Sequence, residues 1–213
     1  IIRDTINIGM PQFMMNMAAC LVVLLINHGL VRYGGDLAVG AYGIVNRLVF
    51  VMVMIVIGFN QAMQPIAGYN YGANQMPRVM QAFKLTVIAA TMVTTTAFLV
   101  FMIGADYVVR AFTTDSRLAQ LSADGLRIVV IVFPIVGLQM VVSNYFQSIG
   151  KPGKSIILSM SRQVLVLIPS LLILPNFFGV EGVWWSMPLS DFIATMLAVV
   201  MIAIEIRRYR ASV

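Results

Sequence analysis

The sequence predicts an all-α membrane protein with six transmembrane helices. Three observations predict it. First, 60% of the 213 residues are hydrophobic and only 10% are charged, whereas a soluble domain carries roughly a quarter charged residues. Mean hydropathy is +0.93. Second, apolar segments near the spanning length recur, about 20 residues for a helix rising 1.5 Å per residue through about 30 Å of hydrocarbon. Third, most of the 14 lysines and arginines lie between those segments rather than inside them. The net charge of +6 is therefore a topology signal, not a binding stripe, and no nucleic-acid partner is expected.

In order, the spans are expected at about 5–30, 37–68, 85–105, 128–149, 155–174 and 183–204. The first contains no charged residue, the second only Arg47, the fifth Arg162 and the sixth Asp191. The third has only threonines for polarity and is expected to face lipid or pack at the periphery. An even number of spans puts both ends of the chain on one side. That side carries Arg3, Arg78, Lys84, Lys151, Lys154, Arg207, Arg208 and Arg210, against Arg32, Arg110, Arg117 and Arg127 opposite. The positive-inside rule then makes both termini cytoplasmic, in a multi-pass protein of the plasma membrane (the inner membrane, in a bacterium). Asp36, Asp106, Asp115, Asp124 and Glu181 fall on the outer side. The longest connector, 104–128, offers Thr114 or Asp115 as a helix N-cap before Leu118, Leu121 and Leu126. It predicts an interfacial helix leading into the fourth span. The opening IIRDTINIGMPQ has neither an initiator Met nor a signal peptide and reads as an internal boundary.

With no long soluble segment, function is expected inside the bundle. Polar residues fall on helix faces at 100° per residue. Gln12 and Asn16 share a face of the first span. Asn46, Asn60, Gln61 and Gln64 share one on the second, with Arg47 at its margin, and Gln139, Ser143 and Gln147 step by four along the fourth. Single amides and hydroxyls often only join helices. Stripes on this many spans are better explained by a polar cavity that these residues line. Pro65 and Gly68 should loosen the second span near the cytoplasm, with Gly72 ending it.

The intramembrane charges Arg162 and Asp191 narrow the site further, since an unpaired charge at depth costs several kcal/mol. Arg162 lies eight residues past Lys154, and Asp191 lies sixteen residues before Arg207. Both therefore sit well inside the bilayer, measured from the same side, on successive antiparallel helices. They are expected to pair, as a functional or as a structural ion pair. His28 is the lone histidine and Cys20 the lone cysteine. No metal site, disulfide or histidine-based catalysis is expected, and no nucleotide-binding loop occurs, so the chain does not read as an enzyme.

Three stretches carry a family resemblance: FNQAMQPIAGYNYGANQMPRVMQAFK (59–84), NYFQSIGKPGKSIILSMSRQVLVLIP (144–169) and FFGVEGVWWSMPLSDF (177–192), with IGMPQF near the start. They resemble the C-terminal lobe of the multidrug and toxic compound extrusion (MATE) family. The resemblance implies half of a twelve-helix efflux antiporter whose N-terminal lobe lies elsewhere in the polypeptide. By that likeness it would export cationic or amphipathic drug-like small molecules by alternating access, with Na+ or H+ as the coupling ion and no cofactor. In the sodium-coupled branch the seventh and tenth helices carry acids. The matching stretches here, QFMMNMAACL and PIVGLQMVVS, carry none. Two other readings stay open: a lipid-linked oligosaccharide flippase, which would want a more cationic cavity, and a non-transporting scaffold or channel module.

Overall fold

The computed structural model describes the backbone of residues 2–211 and the side chains of residues 16–208. Among the described residues there are helices and no strand, as expected where lipid leaves the backbone to satisfy its own hydrogen bonds. The order is α1 (Ile2–Gly72), α2 (Met76–Arg110), α3 (Ser116–Val130), α4 (Phe133–Ser148) and α5 (Pro152–Met160). A π-helical segment (Ser161–Leu167), α6 (Ile168–Phe178) and α7 (Val180–Ala211) follow. Four stretches are long and apolar enough to cross a membrane: Asn16–Gly72, Met76–Arg110, Pro152–Phe178 and Val180–Arg208. The α3–α4 pair, bent by 56°, makes a fifth if counted as one span.

The first of these stretches is 57 residues long, more than twice a single crossing. It is broken at Gly35, whose φ of 65° and ψ of −167° lie outside the helical region. Glycine adopts that conformation without steric cost, which is why the turn falls there. Residues between Ala19 and Ile26 and between Tyr42 and Val56 line the same cavity, and those between the two groups do not. The chain therefore doubles back at Gly35. Farther on, α1 continues without a break through Pro65 and Gly68 and stops at Gly72. Pro65 removes one backbone donor without breaking the helix, and the expected end at Gly72 is where the helix stops.

As expected of a span that faces lipid, α2 leaves Leu85, Ile88, Met92, Leu99 and Ile103 exposed and buries a single stripe. Its buried residues, Val79, Phe83, Ala90, Thr94, Ala97, Phe101, Ala105 and Val109, form one stripe at helical spacing. The stripe packs against α1, α3 and α4. Small residues let the helices approach closely. A Cβ on Gly137 of α4 would stand 2.9 Å from Thr94 Oγ1. The Thr94 hydroxyl itself donates to Ala90 O at 3.0 Å, so its polarity is spent within its own helix.

The connector helix α3 starts at Asp115, whose Oδ1 accepts from Arg117 N at 2.8 Å and Leu118 N at 3.3 Å. This cap satisfies donors the helix start leaves open. Two clusters form the core. One, nearer the Gly35 turn, surrounds Trp184 with Leu30, Phe101, Leu126 and Val130. The other surrounds Tyr145 and Phe146 with Met63, Phe83 and Leu158. Large apolar residues such as Leu24, Ile103, Leu165 and Phe177 are exposed on the outside. In water that surface would be a liability; in an integral membrane protein it meets lipid.

Candidate functional site

The site grows from two irregular helices. On α7, Pro188 removes one backbone donor three residues before Asp191. The neighbouring hydroxyls turn back onto their own helix: Ser186 Oγ donates to Gly182 O, Ser190 Oγ to Met187 O and Thr195 Oγ1 to Asp191 O, each at 2.7 Å. They consequently offer Asp191 no hydrogen bond. Facing it, the helix widens into the π-helical segment Ser161–Leu167, a geometry that appears mostly in short pieces and often at functional sites. Its residues Arg162 and Gln163 both reach the cavity described below.

Arg162 Nε lies 2.5 Å from Asp191 Oδ1, with side-chain exposures of 37% and 8% respectively. The charges touch, yet Oδ1 receives no aligned hydrogen bond. The contact is an ion pair whose acceptor still has an open direction. Gln163 Oε1 is also buried without a hydrogen-bond partner.

These groups form the polar side of a cavity of about 270 Å³. Val22, Ile26, Val53, Val129, Phe133 and Met140 supply much of its apolar wall, and Asn46, Thr94 and Ser190 add polar atoms. A larger opening of about 660 Å³ lies beside the start of α3, lined by charged and hydroxyl groups including Asp106, Arg110, Asp124 and Arg127. There Arg127 already pairs with Asp106 at 2.6 Å and Asp124 at 3.3 Å, and all three side chains are at least a third exposed. Screened and mutually satisfied charges of this kind do little chemistry, so the smaller inner cavity is the candidate site.

Of the residues the sequence singled out, the structure brings Asn46, Arg162 and Asp191 together at this cavity. The side chain of Gln12 lies outside the described residues. Asn16, Arg47, Gln61 and Gln147 are exposed and do not line the cavity. Gln139 and Asn60 are buried elsewhere, and Asn60 has no partner for either amide atom. Gln64 Nε2 donates to Asn144 Oδ1 at 3.1 Å. The Ser143 hydroxyl meets those of Ser155 and Ser159 at 3.0 and 3.4 Å, joining α4 to α5. Gln163 and Ser190 escaped notice, although each adjoins one of the intramembrane charges in sequence. Glu205 did too. Its carboxylate is held by both Lys151 and Lys154, clasping the start of α5 to the end of α7. Among the described residues no group of three His, Cys, Asp or Glu could hold a metal ion.

The MatE family profile matches residues 10–172. The multidrug export protein MepA of Staphylococcus haemolyticus (strain JCSC1435) is 25% identical over 200 residues, covering 94% of this chain and 44% of MepA. The MATE multidrug transporter DinF-BH, solved with a compound bound, is 38% identical with a TM-score of 0.82, covering 95% of this chain and 46% of its own. A MATE structure in the bent conformation gives a TM-score of 0.89 at 19% identity over 99% of this chain and 47% of its own, a likeness of fold alone. The chain thus spans a little under half the length of these relatives. Matched from α1 into α6 and sharing the helical fold of those transporters, the chain belongs to the MatE family of multidrug and toxic compound extrusion proteins.

Proposed function

We propose that this chain is the C-terminal lobe of a secondary active multidrug efflux antiporter. In this reading it crosses the membrane six times, α1 contributing two crossings, with cytoplasmic ends in a bacterial inner membrane. One observation carries the proposal: a largely apolar cavity inside the lobe with a buried carboxylate, Asp191, at its polar side. That is the chemistry a drug pocket needs, apolar walls with few polar anchors, and MepA and DinF-BH are named as multidrug proteins. The exposed polar residues Asn16, Arg47, Gln61 and Gln147 would face the N-terminal lobe across a substrate path, with the two lobes alternating access. Exchange would be against Na+ or H+. Asp191 is the single acid deep in the described spans, so coupling uses it or an acid of the other lobe. The cavity's one arginine is matched by Asp191, leaving no excess positive charge for the pyrophosphate that a lipid-linked oligosaccharide flippase would carry.

The test is drug susceptibility in bacteria stripped of their own pumps, with and without the full gene that encodes this chain. The compound solved with DinF-BH is the first probe, beside cationic, neutral and anionic dyes. Expression should raise resistance severalfold, and Asp191→Asn should lower it at equal membrane abundance. Unchanged susceptibility to every compound would defeat the efflux reading, and full activity of Asp191→Asn would remove that residue from it.

A further inference from the structure

We infer that the cavity beside Arg162 and Asp191 accepts a zwitterion, or the zwitterionic head of a larger amphiphile, by exchanging its internal ion pair for two pairs with the ligand. The inference rests on the efflux reading and names the charge class that the same cavity would take. Its lining contains one arginine and one carboxylate, so its formal charge is zero.

The acceptor side is prepared for a ligand cation. Asp191 is 6% exposed, and its Oδ1 has contact with Arg162 but no aligned hydrogen bond. Gln163 Oε1, in the same lining, is a second buried acceptor without a partner. An ammonium group carries the donors that both oxygens lack.

A ligand bearing only positive charge creates a problem, however. By taking Asp191 it leaves the Arg162 guanidinium uncompensated beside an apolar wall, where an unpaired charge is strongly unfavourable. An anionic group on the same ligand removes that penalty. The guanidinium is planar and presents paired N–H donors matched to a carboxylate or phosphate. At 37% side-chain exposure it also has room to turn toward such a group. Size points the same way. About 270 Å³ is just below the roughly 300–1,000 Å³ of pockets that enclose whole drugs, and it suits a compact doubly charged head.

The experiment uses three aryl probes of matched shape and the purified full-length transporter in lipid nanodiscs. One is a zwitterion with a primary ammonium and a carboxylate, one its methyl ester with the cation alone, and one the carbon-for-nitrogen analogue with the anion alone. Fluorescence titration should show the zwitterion binding on the order of tenfold or more tighter than either single-charge probe. The Arg162→Gln/Asp191→Asn double variant should lose that preference, binding the zwitterion no tighter than the ester. An ester that binds as tightly as the zwitterion overturns the inference and leaves cation efflux standing. A zwitterion preference that survives in the double variant overturns it as well, since the preference then arises elsewhere. A retained, variant-sensitive preference without any drug resistance in cells would support the zwitterion site and defeat the efflux reading.

Discussion

Arg162→Gln should destabilise the protein more than Asp191→Asn, although both break the same pair. The reason is the unequal burial of the partners, 8% exposure for the Asp191 side chain against 37% for Arg162. Without the arginine, a carboxylate is left in the interior, and Gln163 Oε1, in the lining of the same cavity, is itself an unpartnered acceptor. An uncompensated buried charge costs about 3–5 kcal/mol. Without the aspartate, a guanidinium more than a third exposed remains on a long stem that can swing toward polar surroundings. Screening and that freedom reduce the loss to about 1–2 kcal/mol. The gap between the two variants is thus about 2 kcal/mol, and the double variant should cost less than the sum of the singles by about 1–3 kcal/mol. SDS titration of the full-length protein in mixed micelles, followed by circular dichroism, measures all three. Equal losses for the two single variants, or strict additivity in the double, would refute the idea that burial of Asp191 sets the energetics of the pair.

Two other substitutions probe the packing. Gly182→Ala places a methyl group 2.5 Å from Leu174 C and O and 2.7 Å from Pro175 N, all backbone atoms of α6; α6 and α7 must separate, at about 1–3 kcal/mol. A thermal midpoint indistinguishable from the parent's would show that they do not approach so closely. Asn60→Leu removes a side chain 2% exposed whose amide atoms have no partner, and it should be neutral or stabilising by about 1 kcal/mol. A loss above about 2 kcal/mol in the same titration would mean that the amide is hydrogen-bonded in the membrane.

The parts of this lobe that hydropathy and charge encode were legible before the fold. Arg162 and Asp191 stand out because each is a charge within an apolar run. Their depths follow from a rise of 1.5 Å per residue counted from basic residues at the same membrane face. The Asp115 cap was legible because its signal is local: an acceptor side chain directly before an amphipathic turn. The polar stripes were harder to interpret. Periodicity says which face a residue occupies but not what stands opposite. Ser143 meets two other serines, Gln64 meets Asn144, and Asn46 meets a cavity, and nothing in their spacing distinguishes those outcomes. Thr94 adds no polarity to the third span, because a threonine whose hydroxyl bonds back to its own helix packs as a small apolar residue. The π-helical segment leaves no mark in composition at all.

That segment matters for how the site is built. The cavity's apolar wall comes largely from the arms of α1 and from α3 and α4 on either side of their 56° bend. Its charges come from the two helices whose bonding is irregular. One is the π-helical rod bearing Arg162. The other is α7, where Pro188 lacks its donor and three hydroxyls share backbone carbonyls. A π turn and a proline both relax the helical ladder, so small displacements there disturb fewer backbone bonds than in a regular helix. The pair is also held without an aligned hydrogen bond. Both charges of the pair thus stand on irregular helix, unlike a brace set between two regular helices.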